Sequence, residues 1–149
     1  MFTRRHVITL EPTPESAHSA RRFFADVAKR HRLTPEEIRR GELAVSELVT
    51  NAVTHAPGPI RLAARHTRGG VRLEVTDCNP RPPHMGEPTI ERPGSRGLPI
   101  VAATVTEWGW ESDRDEQGKR VWFVVTNGAT SAPTGGSHSL MSGICRAAR

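Results

Sequence analysis

Glu47 and Asn51 stand four residues apart in the run Glu42-Leu43-Ala44-Val45-Ser46-Glu47-Leu48-Val49-Thr50-Asn51-Ala52-Val53-Thr54-His55. On a helix that spacing stacks a carboxylate and a carboxamide on one face. The carboxylate can take a proton, and the amide oxygen can ligate a metal. Downstream, Asp77 closes a run of strand character and Gly97 opens a helical one. In that order the four residues outline a nucleotide site. Each also has an ordinary reading: the Glu47–Asn51 pair fits a solvent-facing strip, and Asp77 fits a turn aspartate.

These residues need a helix to hold them, and the surrounding pattern supplies one. At about 100° per residue, Ile38, Val45, Leu48, Val49, Ala52, Val53 and Ala56 fill a broad apolar sector. Arg40, Glu47, Asn51 and Thr54 fall opposite, with Ala44 and His55 at the margin. Thr34 suits the N-cap and Pro35 the first helical position. Glu36 and Glu37 suit the positive end of the helix dipole. Ala56-Pro57-Gly58-Pro59 ends the helix.

Other elements follow from periodicity. Arg5 to Leu10 reads as a strand. A helix opens at Thr13-Pro14-Glu15-Ser16 and runs to about His31, its apolar positions Ala20, Phe23, Phe24, Val27 and Ala28 recurring at helical spacing. Ile60 to His66 and Val71 to Thr76 read as strands joined by Arg68-Gly69-Gly70. Residues 77–93 form a loop carrying Pro80, Pro82, Pro83, Pro88 and Pro93. A loop of that length in a small domain is commonly functional or mobile. Gly97 to about Val105 is helical, and Glu107 to Glu111 pairs with Arg120 to Thr126 in a hairpin. The order predicts an α+β two-layer sandwich, a mixed or antiparallel sheet with about three helices on one face. Residues 1–127 form the expected domain. Residues 128–149, rich in Gly, Ser, Ala, Thr and Pro, read as a disordered tail.

The chain has 149 residues, enough for one domain with a real core. No apolar run approaches a membrane span. Val7-Ile8-Thr9-Leu10 is too short for the core of a signal peptide, so a cytoplasmic location is expected. The two cysteines, Cys78 and Cys145, have no metal-type spacing and read as reduced thiols. The net charge of +5 raises nucleic acid as a partner, but aromatics make up only 5% of the chain and the arginines form no block longer than a dipeptide. Direct nucleic-acid binding would also leave the ordered Glu–Asn–Asp–Gly series unexplained. No Gly-x-Ser-x-Gly elbow is present, and Ser46 has no base at triad spacing.

The same residues resemble the GHKL superfamily of ATP-binding domains, which includes gyrase and the histidine kinases. The resemblance is nearest to the small anti-sigma-factor serine/threonine kinases and covers about residues 5 to 126. It rests on Glu42 to His55, on Ser95-Arg96-Gly97-Leu98-Pro99-Ile100-Val101 followed by Trp108-Gly109, and on Gly118-Lys119-Arg120-Val121-Trp122-Phe123. It implies the Bergerat-type sandwich, with ATP and Mg²⁺ as cofactors. Asn51 would ligate Mg²⁺, and Glu47 would be the general base for transfer to a protein serine. Asp77 would accept from the adenine amino group. Gly97 and Leu98 would bring backbone N–H groups to the phosphates, with Ser95 and Arg96 beside them. His55 would lie at the nucleotide or simply cap the helix end. The implied partners are a sigma factor and an anti-anti-sigma (STAS-type) antagonist, and the family commonly forms homodimers.

Two departures mark a variant of the pattern. Asn79, followed by Pro80, stands where the superfamily often has glycine, a substitution that a positive φ at Asn would accommodate. Ser95 stands where the phosphate loop usually has its first glycine, with Gly94 one place upstream. Asp77 to Pro83 matches an Asp-x-x-Pro-Arg-Pro-Pro branch of the family, for which nucleotide binding is implied more directly than kinase activity. The competing reading is a nucleotide-gated protein-binding regulator without transfer chemistry. The presence of Glu47 counts against it, since binding alone needs no base.

Overall fold

The computed structural model describes residues 4–83, 97–113 and 118–126. Its elements run β1 (Arg5–Leu10), α1 (Ser16–Arg30), α2 (Pro35–His55), β2 (Ile60–Thr67), β3 (Gly70–Asp77), α3 (Gly97–Thr104), β4 (Glu107–Asp113) and β5 (Gly118–Thr126). The strands form one sheet in the order β1-β2-β3-β5-β4. Every described pairing is antiparallel. The expected α+β two-layer sandwich is therefore present, and the choice between a mixed and an antiparallel sheet resolves to the latter.

Alternation along the strands decides what each face meets. Ile60, Leu62 and Ala64 of β2, Val71, Leu73 and Val75 of β3, and Val121, Phe123 and Val125 of β5 are buried in one core with the apolar faces of α1 and α2. Trp108 and Trp110 of β4 are in register with Phe123 and Val121 and join that core. The opposite face carries Glu74, engaged by Arg5, Arg72 and Arg120. Trp122 lies there too, with the Arg72 guanidinium 4.1 Å above its ring. The three tryptophans thus serve packing, as expected of hairpin positions.

The helix layer is set by close approach. Gly41 on α2 has no side chain where the Phe24 ring of α1 sits, and a Cβ there would overlap the ring. Phe24 reaches through that gap to Phe123 of β5, with ring centroids 5.8 Å apart. Helix α2 is packed between α1 and α3 and lies over β3 and β5. Flanking helices explain why Ala44, placed at the polar margin by the helical projection, is fully buried.

Candidate nucleotide site

Helix α2 is fixed at its start by a complete capping box. The Thr34 hydroxyl accepts from the Glu37 N–H at 3.2 Å, and the Glu37 carboxylate accepts from the Thr34 N–H at 2.7 Å. Pro35 occupies the first turn, as its fixed φ favours. One turn before Asn51, Arg21 of α1 donates to the Ser46 hydroxyl at 2.9 Å. That bond pins the helix face next to Glu47 and gives Ser46 a structural partner. Glu47 and Asn51 are half-buried, and neither side chain is engaged by a hydrogen bond or ion pair among the described residues. The amide oxygen of Asn51 is a hard donor of the kind Mg²⁺ prefers. Among the described residues no group of three or more His, Cys, Asp or Glu could hold a metal ion. Mg²⁺ shared with phosphates and waters asks for only one or two protein ligands, so the donor set fits that mode.

The far end of α2 is tied to the end of β3. Asn79 donates from Nδ2 to the His55 carbonyl oxygen at 2.9 Å, satisfying a helix-end acceptor. Its backbone N–H donates to Asp77 Oδ1 at 2.8 Å. Asn79 thus straps the α2 end to the Asp77 carboxylate. The positive φ anticipated for it is absent, since Arg32 is the one non-glycine residue with positive φ among those described. The side-chain bond to His55 replaces the backbone freedom that a glycine would offer. The His55 imidazole is exposed at the helix end, and its carbonyl is the group that takes part in the strap.

Asp77 is buried on the helix-facing side of the sheet, and Lys119 of β5 stands directly opposite it in register. The Lys119 Nζ atom lies 3.0 Å from Oδ2 and 3.2 Å from Oδ1 of Asp77. It also donates to the Asn79 carbonyl at 3.3 Å. Position 118 must be glycine for this contact, because a Cβ there would collide with the Asp77 carbonyl. Lys119 is the site residue that sequence reasoning left without a role. A signal was present: Lys119 falls in phase with Val121, Phe123 and Val125, so a lysine occupies a core-facing position of β5 and needs a buried partner.

Gly97 and Leu98 form the first turn of α3, which packs beside α2. Ser95 and Arg96, like most of the proline-rich loop and all of the segment 127–149, lie outside the described residues. The structure thus brings α2, the end of β3 and the start of β5 together around the Asp77–Asn79 corner.

Comparison with known proteins bears on the family and the fold. The family model for histidine kinase-like ATPase domains matches residues 10–125. The solved structure of the RsbU and RsbW domains of Rv1364c from Mycobacterium tuberculosis superposes with a TM-score of 0.62 at 22% identity. The match covers 83% of this chain and 32% of that one, so this chain spans about a third of its length. At that identity the likeness speaks for the fold. No curated protein matches the chain.

Proposed function

We propose an ATP-dependent regulator acting on protein serine or threonine, from an established premise: the chain belongs to the histidine kinase-like ATPase family, a family of ATP-binding domains. The domain is assigned to residues 1–127. In this reading the nucleotide lies between α2 and the corner formed by Asp77 and Asn79. The observation that carries it is the half-buried Glu47–Asn51 pair, one helical turn apart and unengaged among the described residues, on a helix strapped to Asp77 through Asn79.

Glu47 acts as general base. As a protein hydroxyl oxygen forms its bond to the γ-phosphorus, the bond to the β-phosphate bridging oxygen breaks, and the hydroxyl proton passes to Glu47. A positioned base contributes about 10²–10⁴ in rate. Asn51 holds Mg²⁺, which when bound neutralises phosphate charge. Asp77 accepts from the adenine amino group, and the backbone of Gly97 and Leu98, with Ser95 and Arg96, meets the phosphates. The solved relative contains RsbU and RsbW domains, and the resemblance of this chain is to anti-sigma-factor kinases. The proposed partners are accordingly a sigma factor, an anti-anti-sigma antagonist of the STAS type as phosphoryl acceptor, and a second copy of the chain. Among the described residues no helix is long and apolar enough to cross a membrane.

A second reading, a nucleotide-gated binding module without transfer, is favoured by one specific feature of the chain: Ser95 stands where the phosphate loop usually has its first glycine, which bears on close backbone approach to the transferred phosphate. Calorimetric titration with ATP, with and without magnesium, followed by a γ-labelled ATP assay on candidate antagonists, separates the two. Magnesium-dependent binding with label incorporation supports the kinase. Saturable binding without incorporation selects the binding module. No binding ends both.

A further inference from the structure

We propose that the open face of the sheet carries a binding site for a small, multiply charged phosphate of the size of pyrophosphate, built on Arg5, Arg65 and Arg72 and separate from the nucleotide corner. The inference does not depend on the nucleotide reading. A cavity of about 220 Å³ opens on this face, and its lining includes Arg5, Arg65, Arg72, Arg120, Glu74 and Ala63. Four guanidinium groups thus border it against one carboxylate.

Strand register gathers the cations. Arg5 of β1 is paired with Arg65 of β2, and Arg65 with Arg72 of β3, so three arginines stand in one row across adjacent strands. Like charges directly opposite one another on a sheet are destabilising. Glu74, one row further along the same face, answers part of this. It accepts from Arg72 Nε at 3.1 Å and lies 3.6 Å from the Arg5 guanidinium and 3.7 Å from that of Arg120. Arg120 is drawn further to Glu111 at 2.7 Å. Arg65, the middle of the row, makes no hydrogen bond or ion pair with another described residue. The lining therefore keeps an excess of positive charge, centred on Arg65. Strand spacing sets the backbones of Arg5 and Arg72 about 10 Å apart, a gap that two long side chains can close on one small anion.

Part of the donor set is already oriented. Arg72 gives its Nε to Glu74 and lies with Cζ 4.1 Å over the Trp122 ring, which leaves its Nη groups for a ligand. Guanidinium forks match the paired oxygens of phosphate, and such charge-assisted bonds are the stronger kind. The size of the space narrows the ligand. Pockets for drug-sized molecules begin at about 300 Å³, so this one suits a compact ion rather than a peptide chain. A pyrophosphate carries several charges in that small volume and can meet Arg5, Arg65 and Arg72 together. Ala63, buried and opposite Glu74 in register, keeps the space open, and a longer side chain there would fill it.

The test is calorimetric titration of the full chain with sodium pyrophosphate, without magnesium and at about 0.15 M salt, where diffuse attraction between exposed charges is largely screened. The wild type is expected to bind with a Kd below about 1 mM. Arg65→Gln should weaken binding by about tenfold or more, the scale of one lost hydrogen bond to a charged group. Ala63→Met changes no charge and should weaken it as well, by filling the cavity. Arg68→Gln, at an exposed position of the β2–β3 turn, should leave binding unchanged. Circular dichroism checks that each variant is folded, and if Ala63→Met is not, the comparison of the two arginine variants decides. No binding to the wild type, unchanged binding in Arg65→Gln, or an equal loss in Arg65→Gln and Arg68→Gln overturns the site. Citrate bound as tightly as pyrophosphate overturns the choice of phosphate. A phosphoserine peptide that binds through Arg65 where free pyrophosphate does not overturns the small ion in favour of a phosphoprotein. Arg65 lies on the face of the sheet away from α2, so ATP affinity should be the same in Arg65→Gln, and failure here leaves the nucleotide reading untouched.

Discussion

Lys119 lies directly across the β3–β5 ladder from Asp77, and its ammonium sits 3.0 Å from the carboxylate with both side chains buried. Taking two charges out of water is costly, and their attraction and shared hydrogen bonds to Asn79 offset that cost. Removing one partner leaves the other buried and alone. Lys119→Ala and Asp77→Ala should each lower stability by about 3–5 kcal/mol, whereas the double variant Asp77→Asn with Lys119→Met should cost clearly less than the sum of the corresponding single changes. Urea denaturation of the four-protein cycle measures the coupling. Strict additivity would mean that the two charges do not stabilise one another.

Glu47 is half-buried on α2 and unengaged among the described residues, so an amide of the same shape can replace its carboxylate without breaking a contact. Glu47→Gln should bind nucleotide as the wild type does and lose phosphoryl transfer by about 10²–10⁴. Single-turnover transfer from labelled ATP to a cognate antagonist reads the rate, and calorimetry reads the binding. Transfer at an undiminished rate would remove Glu47 from the role of base.

Asn51 sits one turn further along the same face. Asn51→Ala deletes the amide oxygen and should remove most of the magnesium dependence of ATP binding while leaving the weaker magnesium-free binding little changed. Titrations with and without the metal report the difference. An Asn51→Ala protein that keeps the full magnesium effect would show that the ion is held elsewhere.

The sheet, the helix order and the α2 start were legible because each rests on local chemistry. Alternation at Val71, Leu73 and Val75 gave β3, and Thr34-Pro35-Glu36-Glu37 gave the cap that the structure shows. The Asp77–Lys119 pair was not legible from Asp77 alone, because its partner is 42 positions away in sequence and the contact depends on strand register. Asn79 misled for a related reason. A backbone explanation was available locally, while the group that it actually satisfies, the His55 carbonyl, is 24 positions distant. Ala44 was misplaced because a projection of one helix cannot show that a second and a third pack on its flanks.

The α1–α2 contact offers a stability test away from the site. A Cβ at position 41 would overlap the Phe24 ring, which is wedged between that gap and Phe123. Helix propensity alone would make Gly41→Ala favourable by up to about 1 kcal/mol. Overpacking of a filled core costs about 1–3 kcal/mol and should win. The urea midpoint of Gly41→Ala should therefore fall. A rise would show that α1 can shift to admit the methyl group.

Acid sensitivity should come from a column of imidazoles at the edge of the fold. His31, just past α1, stacks on His66 of β2 with centroids 4.7 Å apart and meets His6 of β1 edge-on at 6.4 Å. Burial holds His31 below its ordinary value, helped by His66, His6 and Arg30 nearby. Burial, Arg30 and Arg4 do the same to His6. The Nε2 atom of His31 is buried without a hydrogen-bond partner among the described residues, so a proton there gains no acceptor. In the unfolded chain His31 and His6 titrate near 6.5 and therefore bind protons more readily than in the fold. As pH falls below that value the unfolded state gains protons first, and stability drops through the lowered folded values. The Tm should be flat above about pH 7 and decline between about pH 6.5 and 5, before most carboxylates titrate. His31→Gln should flatten that decline. A Tm independent of pH in this window, or an equal slope in His31→Gln, would clear the imidazole column of the effect.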